Sequence, residues 1–412
     1  MTGNKLSALG NGALIITLIY AVGVGLSQSL MSLGGSFFAL FALLSLLPKS
    51  FSLFKREKTT FYLGLGLVAF LYIHLLLLPA DRTFADASGI IPLLLVPLGG
   101  YYLADTLKKL EPIKLQKYLK TLIIISGICA SFSSLLALYQ ILISGHPGVA
   151  LFHNPIYLAY NLFPAFIFFC ELIRLKGANH MMLVPKSWLI FFAVATALGI
   201  LASLNRMIPM AMGLYLLLRF IGPFLFQQFS GRGKSFPWKT WLLFGAFGVL
   251  AVVLLYVRSP DLREKLFRPH NEDLSYIWRL KAWQFNWNLF VQHPFFGVGT
   301  LRNWIDTAVQ TELAGHWEPN HRIYAHSIYL QMLAEGGLVG FLLFVSYWIS
   351  IARQSSLLLN LVLFDLFIAG VTENITVNSK PFHALLFYSM LGIVISKTLT
   401  ITHSDTKSAT AT

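Results

Sequence analysis

Long apolar stretches and short polar connectors alternate along the whole chain. The stretches run to about 18 to 25 residues, the length at which a helix crosses a hydrocarbon core of ~30 Å. A membrane β-barrel would instead alternate apolar and polar residues in segments of about ten. Twelve helical spans are predicted, at about 13–28, 31–48, 60–79, 89–105, 121–143, 155–173, 187–204, 207–228, 240–257, 327–351, 355–372 and 381–398. The first resembles a secretory signal. It runs on into further apolar sequence without a small-residue cleavage site and is read as a retained span. The expected fold class is an all-α integral membrane protein, with about twelve transmembrane helices and one large periplasmic loop containing short amphipathic helices.

The pattern divides the chain into residues 1–257 (about nine spans), a polar loop at 258–326, three further spans within 327–402, and a small polar tail at 403–412 expected to be disordered. The loop stands apart. From Arg258 to His326 it holds eight Lys/Arg, seven Asp/Glu, five of the eleven histidines and five of the nine tryptophans. Within it Leu280, Trp283, Trp287, Phe290 and Val291 recur at helical spacing, and the run stops at Gln292–His293–Pro294. A second amphipathic stretch uses Leu301, Trp304, Ile305 and Val309, with Gly315 as its C-cap.

Charge orients the spans. Basic residues gather in alternate connectors, around Lys55–Arg56, Lys108–Lys120, Arg174–Lys186 and Arg232–Lys239, whereas Asp81–Gly89 and Ser144–Asn154 are acidic or neutral. By the positive-inside rule the basic connectors are cytoplasmic, both termini lie inside, and the 258–326 loop lies outside. The formal net charge of +14 is therefore a topological signal and implies no nucleic-acid partner. Charged residues make up 12% of the chain against about a quarter in soluble domains, which excludes a soluble globular protein. Cys129 and Cys170 fall inside apolar runs and read as small buried hydrophobes.

Several residues could carry chemistry. His326–Ser327 is followed, after nine residues, by Gly337–Leu338–Val339–Gly340. An imidazole where a loop enters a span can accept a proton near neutral pH, and the glycines permit close helix packing; a capping His at the interface is the plainer alternative. Arg279 lies between Trp278 and Trp283, whose rings could stack on a guanidinium or on sugar faces. An interfacial amphipathic helix would show the same pattern. Arg206 sits in the short connection Ser203–Met207, where an arginine that does not pair or reach water is costly. Arg219 is expected to snorkel toward the cytoplasm, and Glu335 and Asp365 to make structural hydrogen bonds. His316, His321 and His326 are spaced by five, unlike the i, i+4 pairs of zinc-binding helices. P-loop, GxSxG and GxGxxG motifs in their structural context are missing, which removes ATPase, hydrolase and dinucleotide readings.

At these residues the chain resembles the bacterial O-antigen ligase and polymerase superfamily. His326–Ser327 with Gly337 and Gly340 is similar to the ligase signature, His293–Pro294 through Gly299 to the family's HPxxGxG stretch, Asn154–Pro155–Ile156–Tyr157 to its NPNYxA element, and Arg206 to its outer arginine. The resemblance implies transfer of a glycan from an undecaprenyl-pyrophosphate-linked O-antigen donor to the lipid A-core oligosaccharide, on the periplasmic face of the bacterial inner membrane. It implies His326, Arg279 and Arg206 as catalytic, and Arg322, His321, Asn154, Trp278 and Trp283 as substrate-binding. Membrane lipids are the surroundings, with no metal or other cofactor. O-antigen polymerase, protein O-oligosaccharyltransferase and a lipid-linked glycan transporter are the rival functions.

The charge bias makes a testable statement about topology. A reporter fused at Gly315 should be active only in its periplasmic form; activity of the cytoplasmic form alone would rule the orientation out.

Overall fold

The computed structural model describes residues 8–26, 58–77, 84–152, 154–178, 184–205, 207–221, 274–299, 327–371 and 382–409, with isolated positions at 253, 257 and 260. Among these residues every regular element is helical. In chain order they are α1 (Ala8–Leu26), α2 (Lys58–Leu77), α3 (Phe84–Leu107), α4 (Pro112–Ser144), α5 (Pro155–Ala178), α6 (Lys186–Ala202), α7 (Met207–Leu216, continued by a π-helical turn Leu217–Ile221), α8 (Leu274–Gln292), α9 (Ile328–Ala352), α10 (Ser356–Val371) and α11 (Phe382–Ala409). Helices stand at ten of the twelve apolar stretches; 31–48 and, apart from Val253 and Val257, 240–257 lie outside the described residues. α11 continues to Ala409, into the stretch where the sequence predicts a disordered tail. By length and composition, Pro112–Ser144, Pro155–Leu175 and Ile328–Ala352 can each cross a membrane.

The surface of α4 reads inside out relative to a soluble helix. Its buried stripe is small, with Ser126, Gly127, Ala130, Ser133, Ser134 and Ala137, whereas Ile128, Phe132, Leu135, Tyr139 and Leu142 are exposed. Small residues let helices approach closely where no hydrophobic drive separates helix from lipid, and large apolar side chains then face the acyl chains. Gly127 shows how close: a Cβ there would lie 2.3 Å from the Phe192 ring of α6. Two of the inward hydroxyls bond to backbone, Ser126 to Leu122 O at 2.9 Å and Ser133 to Gly25 O at 2.6 Å. Neither of these two needs water to satisfy it.

Two compact units result. One comprises residues 1–17, 33–115 and 270–412, and the other residues 18–32 and 116–269. In the first, α3 packs on α2 and α11, α9 on α2, α8 and α10, and α10 on α11. In the second, α5 packs on α6, and α7 on both.

Within the first unit a proline defect is repaired across helices. Pro97 lies inside α3 and has no N–H, so the carbonyl of Leu93, four residues earlier, loses its helical donor. The hydroxyl of Tyr347 in α9, itself buried, donates to that carbonyl at 2.5 Å. Tyr347→Phe should cost about 1–3 kcal/mol by orphaning the acceptor. Pro97→Ala in the same background should recover most of the loss, because residue 97 regains an N–H for Leu93. Thermal unfolding of the two variants checks this; additive losses would disprove the repair.

Candidate functional site

The chemistry-bearing segment of the first unit is organised by a break in α9. Gly337 has φ 60° and ψ −163°, far from helical values, so α9 is two helical pieces joined there. In an unbroken helix the N–H groups of Leu338 and Val339 would donate to the carbonyls of Ala334 and Glu335. Here the segment His293–Gly299 is spliced into those two bonds. Val298 N–H donates to Ala334 O at 2.9 Å and Gly299 N–H to Glu335 O at 2.8 Å, while Leu338 N–H donates to Pro294 O at 2.8 Å and Val339 N–H to Phe295 O at 3.1 Å. Each group that the break frees is taken up, as an apolar surrounding demands.

The splice explains the spacing of the glycines. Gly297 (φ 69°) and Gly337 occupy the left-handed region, and a Cβ on either would lie 2.4 Å from backbone, that of Glu335 and Phe295 respectively. Gly340 faces α2, where a Cβ would meet the Phe70 ring at 2.7 Å. Close helix packing, the sequence expectation, holds at Gly340. Gly337 breaks the helix instead. Val298 and Ala334 are buried with Leu289 of α8, and Phe285 packs on them. The start of α9 is thereby fastened to the end of α8.

α8 carries three of the expected site residues. It ends at Gln292, as the sequence predicts. Its packed face is Ala282, Asn286 and Leu289, whereas Leu280, Trp287 and Val291 of the predicted apolar stripe are exposed, as at a membrane interface. Arg279 and Trp283 are half-buried, and Trp278 lies on the same helix. Trp283 Nε1 and Asn286 Oδ1, one turn apart, are buried and have no hydrogen-bond partner among the described residues. At the head of α9, Ser327 caps the helix, its hydroxyl accepting from Leu330 N at 3.4 Å. Glu335 accepts from Gln331 Nε2 at 2.6 Å, the structural bond expected of it. Asp365 is buried in α10, and its Oδ2 has no partner among the described residues.

In the second unit the Asn154 element and the turn before Arg206 gather at one end. Gly148 N–H donates to Ala202 O at 2.9 Å, at the end of α6. Gln140 Oε1 clasps the same loop, accepting from Val149 N at 2.9 Å and Ala150 N at 2.8 Å. Asn154, expected to bind substrate, caps α5 through Oδ1, which accepts from Ile156 N at 2.8 Å. Asn205 Oδ1 likewise accepts from Ile208 N at 3.1 Å at the start of α7.

Arg219 does not snorkel free. Its Nε and Nη2 bind Glu171 at 2.7 and 3.3 Å; Arg174 Nε binds the same carboxylate at 2.9 Å and Tyr215 donates to it at 3.0 Å. Glu171 is fully buried, so this pairing is what makes its charge tolerable there.

Arg206, His321, Arg322 and His326 lie outside the described residues, as does the second amphipathic stretch at 301–309 with Gly315. Sequence reasoning missed His74 of α2. Its Nε2 lies 2.6 Å from the carbonyl of Phe296 in the spliced segment, and its Nδ1 lies 3.1 Å from Phe70 O. A lone histidine in an apolar run carries no signal for a partner 222 residues away.

Residues 188–345 match the family model described as O-antigen ligase. The match spans Arg206, α8, the spliced segment, His326 and the break at Gly337; Asn154 and His74 fall outside it. No curated protein matches the chain.

The splice sets the response to single methyl groups. Gly297→Ala should destabilise by about 3 kcal/mol or more, combining left-handed strain with backbone overlap. Gly213→Ala, at a position with open space around it, should be neutral or slightly stabilising. Melting temperatures of the purified variants test the contrast; equal melting temperatures would refute the splice.

Proposed function

We propose that this protein ligates O-antigen polysaccharide from undecaprenyl pyrophosphate onto the lipid A-core oligosaccharide, a reading supported by the match of residues 188–345 to the family model described as O-antigen ligase. Its setting is the bacterial inner membrane, crossed about twelve times, with the reaction on the periplasmic face. The family match supports glycosyl transfer of the ligase or polymerase type on lipid-linked glycans; the donor and acceptor named here go further. The observation that carries the reading is the spliced break, which ties the helix bearing Arg279 to the helix that follows His326 in the chain.

The chemistry suits these residues. An acceptor sugar hydroxyl attacks the anomeric carbon of the donor's first sugar, forming the new glycosidic bond. The bond from that carbon to the pyrophosphate oxygen breaks, and its electron pair leaves with the lipid pyrophosphate. Arg279, with Arg322 as a second cation, neutralises the growing charge through forked hydrogen bonds. His326, as a neutral imidazole, takes the hydroxyl proton. Trp278 and Trp283 offer ring faces to sugar, and His321 a further polar contact. Asn154 would meet substrate from the loop that its own capping bond shapes.

The two roles separate in purified protein. His326→Ala should lose transfer by about 10²-fold or more while still binding the lipid-linked donor. Arg279→Lys should lose donor affinity and turnover together, because a point charge cannot replace the guanidinium fork. Near-normal transfer in His326→Ala would sink the base assignment. In cells, a deletion strain should show core-only lipopolysaccharide with polymer retained on the lipid carrier. Core bearing a single repeat would favour the polymerase instead.

A further inference from the structure

The spliced segment is held from two sides. From α9 it receives the four backbone bonds around Gly337. From α2 it receives one contact, between the His74 ring and the carbonyl of Phe296 at 2.6 Å. Phe296 lies between the two pairs of spliced residues, Pro294–Phe295 and Val298–Gly299. A carbonyl only accepts, so Nε2 is the donor in this contact. The second contact, Nδ1 to Phe70 O, reaches a carbonyl that is already the helical acceptor for His74 N–H. The part of His74 that nothing else supplies is therefore the bond to Phe296.

The ring itself is braced. It packs on Phe70 with centroids 4.2 Å apart, and Phe70 fills the space opened by Gly336 and Gly340, where added Cβ atoms would lie 3.2 and 2.7 Å from its ring. The two glycines thus seat Phe70, Phe70 seats His74, and His74 donates to the segment spliced at Gly337. The glycines flanking the break and the break itself serve one construction. The bond bridges α2 and a segment that follows α8, inside the first unit.

We infer that His74 is a positioning residue for the transfer reaction: it pins the spliced segment so that α8, with Arg279, holds its place against the head of α9. The inference rests on the glycosyl-transfer reading for its activity consequence alone; the pinning stands on geometry. His74 touches no reacting atom.

Two substitutions separate pinning from mere space filling. Glutamine places an N–H close to where Nε2 sits, whereas methionine keeps comparable bulk without a donor. Full-length His74→Gln and His74→Met proteins in lipid nanodiscs should be compared with wild type in two measurements. The first is amide hydrogen exchange at Val298, Gly299, Leu338 and Val339. The second is turnover and donor KM with an undecaprenyl-pyrophosphate-linked saccharide and lipid A-core acceptor. His74→Met should speed exchange at those four amides about fivefold or more, with other helices unchanged, and lower turnover by about tenfold to a hundredfold. His74→Gln should stay within about twofold of wild type in both. Unchanged exchange in His74→Met overturns the inference. So does equal loss in both variants with faster exchange throughout the unit, which would mark His74 as packing only. If wild type transfers nothing from this donor, the reading of the function fails, and the exchange measurement alone decides the pinning.

Discussion

A helix interrupted inside an apolar surrounding frees two carbonyls and two N–H groups, each costly to leave unpaired. The break at Gly337 is the constraint on which the rest of the first unit depends. It is satisfied by importing the backbone of His293–Gly299, which takes both carbonyls and supplies both acceptors. That exchange requires residues without a Cβ at Gly297 and Gly337. It also sets the distance along the chain at which α8 must end, so the direction of the Arg279 helix follows from a hydrogen-bond requirement in α9. Backbone carries this junction; Leu289, Val298 and Ala334 then exclude solvent from it.

Much of this architecture was legible in the hydrophobic pattern, because period and length are local properties. The end of α8 at Gln292 follows from the proline two residues on, a local signal, and the apolar run places the start of α9, whose cap proves to be Ser327. An interfacial α8 was one of the readings its tryptophans allowed, but the packed stripe itself was not legible. Its most apolar stripe is outward and its packed stripe contains Asn286, because a membrane interface rewards exposed tryptophan as a soluble protein does not. Of the two motif glycines, Gly340 packs closely as expected and Gly337 breaks the helix, and the sequence could not separate them because both tasks ask for the same residue. His74, Glu171 and Tyr347 act through partners remote in sequence, and neither periodicity nor spacing reports on such pairs.

The functional reading depends on the same junction. A transferase that moves a glycan from a pyrophosphate needs cations where the leaving charge grows and a base where the acceptor loses its proton, held at fixed separation. Loops alone hold such separations poorly. Splicing one segment into the break of another helix fixes the helix that carries Arg279, the proposed cation, to the helix that follows His326, the proposed base, in the chain. The Asn154 element serves its own unit in a comparable way: Gln140, Gly148 and Asn154 use backbone contacts to shape the loop beside the end of α6.

Rigidity between α8 and α9 is thus the central physical claim, and it can be measured without knowing the substrate. Spin labels at Leu280 of α8 and Leu342 of α9, both on exposed positions, report the separation of the two helices in the lipid-embedded protein. A single narrow distance distribution, unchanged when lipid-linked donor is added, is the result expected of a spliced junction. A broad or bimodal distribution would contradict it, because two helices joined only by a flexible loop would sample many separations.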